Sequence, residues 1–352
     1  MQHAITNQSG SSVRSVLIAL LLIPINCYWI VYTEMVWWGL FPTTMSLFFN
    51  VVFCLFLIIL LNLAIKHIQP NWRLSQSELL TIYILLCMGS VVASHDFGQI
   101  LVPLIGHASW FETPENEWKE LFFPYIPKWL TIQDKSILEG YYDGDSTLYR
   151  IEQLKAWIRP TLWWTTFVVA LFWVMACINV ILRKQWIEHE KLAYPIIELP
   201  FAMTQENGTQ FFKNRLFWLA FSLVSILNLV NGLSYFVPSL PIIGVRFRDI
   251  GYLFTEKPWN ALGTVRFSIY PFVIGLGFFM PLDLSFSCWF FFLFRKFQHV
   301  LGAILGLRSF GFPFDRQQSL GAYLGLSVVA VWISRKYLIR IFRYATIERK
   351  SD

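Results

Sequence analysis

Four of the 22 acidic residues lie inside or beside long apolar stretches: Glu34, Asp96, Glu198 and Asp283. A carboxylate at membrane depth is costly unless it pairs, faces water, binds a cation or takes up a proton. Carboxylates of this kind line the proton and ion pathways of membrane proteins. The chemistry that these residues indicate is therefore the binding of protons or cations.

Asp283 is the only charged residue in the apolar stretch 267–294, and it follows Pro281 by two positions. A straight helix of that length would measure about 42 Å, against a hydrocarbon core of roughly 30 Å. Because proline lacks an N–H and its ring clashes with the preceding turn, the sequence predicts a helix that is discontinuous near Pro281. Asp283, Pro281 and Ser285 are therefore the first candidates for an ion or substrate path. The alternative is a structural role, in which the Asp283 carboxylate bonds to the broken helix.

His95 and Asp96 are neighbours at the end of the third apolar stretch. Imidazole titrates near neutral pH, so this pair is a second candidate for the path, as a proton relay. Adjacent residues on a helix point about 100° apart, and an interfacial pair that faces water is the alternative. Glu34 lies beside Trp37 and Trp38 and is assigned to the membrane interface.

The fourth acid, Glu198, lies between Pro195 and Pro200 in a stretch that joins two apolar segments. Because the residue before a proline disfavours helical backbone angles, the chain at Glu198 is predicted to be extended or kinked. Two interpretations remain open. One is a re-entrant element that carries Glu198 as part of the path, and the other is an amphipathic linker on the membrane surface.

The elements that position these residues are predicted to be membrane-spanning helices. The chain is 56% hydrophobic and only 14% charged, with a mean hydropathy of +0.51. This composition differs from that of soluble domains and predicts an all-α, polytopic helical bundle. Ser75 and Glu78 have the spacing of a capping box at the start of the third segment. Seven hydrophobic segments are predicted, one of them discontinuous: 16–31, 44–65, 75–92, 162–182, 216–236, 267–294 and 320–333.

These segments divide the chain into three regions. Residues 1–107 hold segments one to three, and residues 108–159 form an aromatic-rich cap with nine acidic and six basic residues. Residues 160–352 hold segments four to seven, with an interfacial linker at 183–213. Because the cap is rich in aromatic residues, it is predicted to be ordered, with a lid over a substrate path and simple packing as alternatives.

Lysines and arginines in the 2–3 and 4–5 connections predict a cytoplasmic N-terminus and an external cap. An odd number of crossings would then place the basic tail 335–350 outside, which the positive-inside rule disfavours. Either residues 298–311 dip into the membrane, or the sixth segment is not a single crossing. Both interpretations remain open.

The sequence contains no GxSxG, HExxH, P-loop or Rossmann glycine motif. Its five cysteines lie in apolar stretches without CxxC spacing, and its six histidines lack metal-ligand spacing. Neither a disulfide framework nor a metal site is predicted, and no cofactor is expected. The basic residues behind the net charge of +6 flank apolar runs, which indicates contact with anionic lipid and not with nucleic acid.

Six strings, in order along nearly the whole chain, resemble a family of large bacterial multi-pass membrane proteins of unknown function, some labelled peptide transporters. A more distant resemblance extends to the oligopeptide transporter superfamily. The resemblance implies the bacterial cytoplasmic membrane and, because family members are longer, a C-terminal half or partner subunit. It carries over no catalytic residues. The strings are LSQSELLTIYILL, ASHD, TPENEWKELFFPYIPKWL, LRKQWIEHEKLAYPIIELPFAM, MPLDLSFSCWFFF and DRQQSLGAYLGL.

Three functions are consistent with the residues and the resemblance. The first is a transporter-like protein that moves a small polar or peptide-like solute with coupled ions or protons. The second is a membrane-embedded enzyme on a lipid-linked or glycan substrate, with His95 and Asp96 as acid and base. The third is a non-transporting scaffold of an envelope complex.

Overall fold

A computed structural model of the chain describes residues 12–39, 41–45, 47–189, 194–243, 248–307 and 311–346. The chain divides into two compact units. Unit 1 consists of Met1–Ile181 and Ile196–Phe217, and unit 2 consists of Leu182–Pro195 and Trp218–Asp352.

Unit 1 is helical. Its first helix, α1 (Val13–Val31), continues directly into a π-helical turn at Tyr32–Val36. Its remaining helices are α2 (Phe49–Ile68), α3 (Gln76–Val92), α4 (Gly98–Trp110), α5 (Trp118–Leu121), α6 (Lys135–Tyr142), α7 (Ile151–Lys184), α8 (Pro195–Thr204) and α9 (Thr209–Lys213). Helices α7 and α8 extend by a few residues into the ranges of unit 2.

Side-chain caps fix the first residues of α1 and α3. The Ser15 N–H donates to Ser12 Oγ at 3.3 Å at the start of α1. At α3 the predicted capping box is confirmed, because the Glu78 N–H donates to Ser75 Oγ at 3.3 Å and the Ser75 N–H donates to Glu78 Oε2 at 2.8 Å. Each cap satisfies N–H groups that have no partner within the helix.

Helices α1 and α3 run parallel, and α2 runs antiparallel to both. Two contacts between α1 and α3, Arg14 with Glu78 and Asn26 with Ser90, share the sequence separation of 64 expected for parallel helices in register. Near the start of α2, Asn50 contacts Asn26 in the second half of α1. The three helices share a core of fully buried apolar side chains, Ala19, Val51, Leu55, Ile59, Leu79, Ile82 and Leu86.

The chain at α8 and α9 packs onto the same core. Met203 on α8 is buried in it together with Ile59. Arg73, between α2 and α3, donates from Nη2 to the backbone oxygen of Glu206 at 3.1 Å. The turn before α9 is made at Gly208, which has a φ of +87° and lies directly against Ile59.

The predicted extended or kinked backbone at Glu198 is wrong, because Glu198 lies within helix α8. Pro195 is the first residue of this helix, a position where the missing N–H costs no intrahelical bond. Pro200 removes one bond inside the helix without ending it. The Glu198 side chain is exposed and, within the described ranges, has no hydrogen bond or ion pair.

Replacing Gly208 by alanine is expected to destabilise unit 1 by about 2–3 kcal/mol. The new Cβ would overlap Cγ2 of Ile59, and the left-handed φ adds backbone strain. Gly144→Ala is the matched control, since Gly144 has a similar φ of +88° but no atom within 4 Å of the added Cβ. Thermal unfolding in detergent should show a larger loss for Gly208→Ala, and equal losses would contradict the predicted overlap.

Residues 108–159 pack around a small cluster formed with α4. Ile105, Ile132 and Leu138 form its buried centre. The Tyr142 hydroxyl donates to the Pro103 oxygen at 2.7 Å, and Trp110 stacks on the Tyr142 ring with centroids 5.1 Å apart. This stretch is therefore held by side-chain packing and hydrogen bonds.

The external position of this cap is tested by cysteine labelling in intact cells. In a cysteine-free variant, Asp143→Cys is expected to react with a membrane-impermeant maleimide, because residue 143 is exposed and the charge rule places the cap outside. Lys66→Cys, in the 2–3 connection, should react only after the membrane is permeabilised. The reverse pattern would invert the predicted orientation.

Unit 2 combines helices with one short hairpin. Strands β1 (Arg248–Asp249) and β2 (Arg266–Phe267) pair antiparallel, with Arg248 opposite Phe267. The Asp249 carboxylate accepts the N–H groups of Gly251 and Val265, both at 2.8 Å, and these bonds lower its pKa. The helices of this unit are α10 (Arg215–Phe236), which begins in the last residues of unit 1, α11 (Pro271–Phe279), α12 (Leu282–Ile304) and α13 (Asp315–Thr346).

The predicted discontinuity of the sixth segment is confirmed. Helix α11 ends at Phe279, α12 begins at Leu282, and Met280 and Pro281 between them have extended backbone angles with ψ of 140° and 142°. Proline cannot donate to the preceding turn, which is the physical reason for the break.

All seven predicted segments contain helix, but fewer are long enough to cross a membrane. Among the described residues, five helices have the required length and apolar composition: Val13–Val36, Phe49–Ile68, Ile151–Glu188, Arg215–Phe236 and Asp315–Arg340. The third segment is a shorter apolar helix of 17 residues, and the sixth is divided into two helices. The count of seven is thereby reduced to five long candidates.

Candidate functional site

The residues that the sequence favoured, Asp283, Pro281 and Ser285, lie together at the start of α12. Asp283 is in the first turn, where a carboxylate interacts favourably with the positive end of the helix dipole. The Ser285 N–H donates to the Pro281 oxygen at 3.0 Å. The Asp283 side chain is exposed and, among the residues the structure describes, has no hydrogen bond or ion pair. Asp283 therefore has the surroundings that are usual for an acidic residue at a helix N-terminus.

The His95–Asp96 pair is in contact, with His95 Nδ1 and Asp96 Oδ1 3.2 Å apart. The Asp96 side chain is 76% exposed, whereas His95 is half-buried. The His95 ring lies edge-on to Phe41, with centroids 5.4 Å apart, and its backbone N–H donates to Thr43 Oγ1 at 3.3 Å. The Asp96 side chain therefore faces outward. The backbone of His95 contacts Thr43, and Thr43 in turn binds a more deeply buried group.

That buried group is Glu34, which the sequence analysis assigned to the membrane interface. Its side chain has no exposed surface, so the assignment missed its enclosure by protein. Glu34 lies in the π-helical turn Tyr32–Val36 at the end of α1. Such turns are rare and occur frequently at functional sites.

Three hydrogen bonds hold the Glu34 carboxylate. Oε1 accepts the backbone N–H of Thr43 at 2.9 Å and the Thr43 hydroxyl at 2.7 Å. Oε2 accepts Nε2 of Gln99 at 2.7 Å. Gln99 Nε2 also donates to the Ala93 oxygen at 2.9 Å, which fixes the orientation of the amide. Glu34 thus joins α1, the α1–α2 connection and α4.

A glycine allows the chain to return to Glu34 after α3. The first residue of α4 is Gly98, and a Cβ at this position would overlap the backbone oxygen of Val92. The close turn between α3 and α4 brings Gln99 back toward α1. A larger residue at 98 would displace the donor of the Glu34 Oε2 bond.

The Glu34 site contains no positive charge among the described residues, since all three donors to its carboxylate are neutral. Glu78, at the opposite end of the bundle, differs in this respect. Arg14 Nη2 lies 2.9 Å from Glu78 Oε2 and 3.1 Å from Oε1, and the Ser12 hydroxyl donates to Oε1. Glu78 therefore has a positively charged partner, whereas the groups that bind Glu34 are neutral.

A third polar cluster, which we call the amide triad, lies between these ends and consists of Asn26, Asn50 and Ser90. Asn26 Nδ2 donates to Ser90 Oγ at 2.8 Å, and Asn50 Nδ2 donates to Asn26 Oδ1 at 2.8 Å and to Ser90 Oγ at 3.3 Å. All three side chains are buried. Each comes from a different helix.

The three polar clusters follow one another along α1 and its π-helical turn. Twenty residues separate Arg14 from Glu34, which corresponds to about 30 Å of helix, the thickness of a hydrocarbon core. Asn26 lies eight residues before Glu34, about 12 Å away along the helix. The amide triad therefore lies between the two buried acids along this helix.

The sequence did not predict that Glu34 contacts Thr43 and Gln99, although one signal for the burial of Glu34 was available. Asn26, Ile30 and Glu34 recur at intervals of four, which places them on one face of a helix. That face is more polar than a lipid-facing surface allows and so indicates contact with protein. Thr43 and Gln99 lie in connections and carried no periodic signal.

The helices define an all-α protein, and several of them are long and apolar enough to span a membrane. A buried carboxylate, Glu34, lies at one end of its three-helix bundle. The family model for DUF6785, a family of unknown function, matches residues 5–352. The chain belongs to this family. No curated protein and no solved structure matches it. Among the described residues, no group of three or more His, Cys, Asp and Glu side chains is placed to hold a metal ion.

Proposed function

We propose that this chain is an integral protein of the bacterial cytoplasmic membrane in which proton binding at Glu34 is coupled to movement of a small polar or peptide-like solute. The observation that carries the proposal is the complete burial of Glu34 with neutral donors alone. An ionisable residue that is enclosed by protein in a membrane-spanning bundle is a candidate proton relay. The peptide-like character of the solute rests on the family resemblance alone.

A proton suits this site better than a metal cation. Hard cations take six to eight oxygen ligands, whereas the groups around Glu34 present hydrogens to it. The N–H and hydroxyl of Thr43 and the amide of Gln99 all point their positive ends at the carboxylate. They would therefore repel a metal cation.

Protonation of Glu34 would change its contact with Gln99. A proton on Glu34 Oε2 would face Nε2 of Gln99, and two donors cannot share a hydrogen bond. The Ala93 oxygen holds the Gln99 amide in its present orientation, so a simple flip would lose that bond. Protonation would therefore loosen the link between α1 and α4. We infer that this link is the element that couples the proton to solute movement.

The His95–Asp96 pair is the proposed access point for protons. The backbone N–H of His95 donates to Thr43 Oγ1, and the Thr43 hydroxyl binds Glu34 directly. Asp283 and Glu198, both exposed, remain candidates for the solute path. In this proposal they act separately from Glu34.

Infrared difference spectroscopy of the protein in lipid tests the proton site without knowledge of the solute. The chain has 22 acidic residues, and the exposed ones also take up protons on acidification, so the Glu34 signal is the carboxylic acid C=O band that is present in the wild type and missing in Glu34→Gln. Asp283→Asn is the matched control and should retain this band, because Asp283 lies at the start of α12, away from Glu34. If the wild type and Glu34→Gln show the same C=O bands, proton binding at Glu34 is excluded.

A further inference from the structure

We infer that the amide triad binds one internal water molecule. Asn50 Oδ1 is buried and has no hydrogen-bond partner in the part of the chain that the structure describes. The Asn50 side chain as a whole has no exposed surface. A buried carbonyl oxygen without a partner costs about 1–3 kcal/mol, and native structures satisfy almost all such groups.

The orientation of the Asn50 amide is fixed by its neighbours. Asn26 Oδ1 can only accept, and it takes Asn50 Nδ2 at 2.8 Å. A flipped Asn50 would place two oxygens against each other. The unpaired atom is therefore the oxygen, and it needs a donor.

The triad also offers a donor and a second acceptor to the same water. Ser90 Oγ accepts from Asn26 and from Asn50, and its own hydrogen has no acceptor among the described residues. Asn26 Oδ1 accepts a single bond and has a second lone pair. A water that donates to Asn50 Oδ1 and Asn26 Oδ1 and accepts from Ser90 would make three hydrogen bonds, the usual number for a buried water.

The apolar layers on the two sides of the triad are unequal. Toward Glu34, one fully buried residue of α1, Ile30, lies between Asn26 and Glu34 on the face that carries both. Toward Arg14, the core is formed by Ala19 together with Leu55, Ile59, Leu79, Ile82 and Leu86. The water is therefore expected to exchange with solvent through the Glu34 end of the bundle.

Nuclear magnetic resonance of the full chain in lipid nanodiscs, labelled with nitrogen-15 at asparagine, tests the inference. Cross-peaks from the side-chain amides of Asn26 and Asn50 to water are expected, with each signal assigned by its loss in an Asn→Asp variant. Asn62 is the matched negative control. It is equally buried, but its amide bonds to the Leu74 backbone on both sides, at 3.1 and 2.7 Å.

Asn71, which is exposed, serves as the positive control. Water cross-peaks at Asn50 or Asn26, together with none at Asn62, support the site. If Asn26 and Asn50 show no water cross-peak while Asn71 does, the inference is overturned. The outcome is independent of proton binding at Glu34, because the measurement does not depend on transport.

Discussion

Replacing Glu34 by glutamine is expected to abolish proton influx through the protein in reconstituted vesicles. A positioned acid or base accelerates proton transfer by about 100-fold or more, so the variant should fall to the level of empty vesicles. The change removes the titratable group and keeps its shape. The glutamine oxygen can still accept from the N–H and hydroxyl of Thr43, whereas its NH2 group would face Gln99 Nε2 and lose that one bond, so the amount of folded protein is measured for the variant.

The assay imposes a pH gradient across vesicles that contain a trapped pH dye, with and without di-alanine as the peptide-like probe. Flux is normalised to folded protein, measured by size-exclusion chromatography. Asp143→Asn, at an exposed acid outside the proposed proton and solute paths, is the control and is expected to retain proton influx. Wild-type influx in Glu34→Gln would remove Glu34 from the mechanism, whereas loss in Asp283→Asn alone would return the site to the start of α12.

Replacing Arg14 by alanine is expected to lower the stability of unit 1 by about 2 kcal/mol, less than for a fully buried pair. The Glu78 side chain is only 9% exposed and would lose its counter-charge, while the 39% exposure of Arg14 reduces the loss. Arg14 also donates to the backbone oxygens of Trp72 and Arg73 at 3.2 and 3.1 Å. Its removal therefore weakens both the ion pair and the α2–α3 connection.

The double variant Arg14→Ala, Glu78→Gln separates these two contributions. A neutral side chain at 78 needs no counter-charge, so the double variant should be more stable than Arg14→Ala alone. Thermal unfolding in detergent gives both values. If the two variants unfold at the same temperature, the ion pair contributes little and the bonds to the backbone account for the loss.

Local features of the fold could be predicted from the sequence because they depend on neighbouring residues. The apolar segments, the capping box at Ser75 and Glu78 and the break at Pro281 all follow from periodicity, side-chain caps and proline geometry. The helix at Glu198 was missed for a related reason. Proline signals a boundary, but it does not say on which side the helix lies.

The candidate site could not be predicted in the same way, because its hydrogen bonds join residues far apart in sequence. Gln99 reaches Glu34 across 65 positions, and Ser90 reaches Asn26 across 64. Sequence alone ranked Asp283 first because an isolated acid in an apolar run is costly. The structure exposes Asp283 and buries Glu34.

The helical apolar segments, the start of α3 and the break before α12 therefore follow from residues close together in the sequence. Which carboxylate is enclosed and which polar groups meet depends on how the helices pack, because burial is a property of the packed helices. Parallel packing of α1 and α3 aligns Asn26 with Ser90, and the turn at Gly98 brings Gln99 to Glu34.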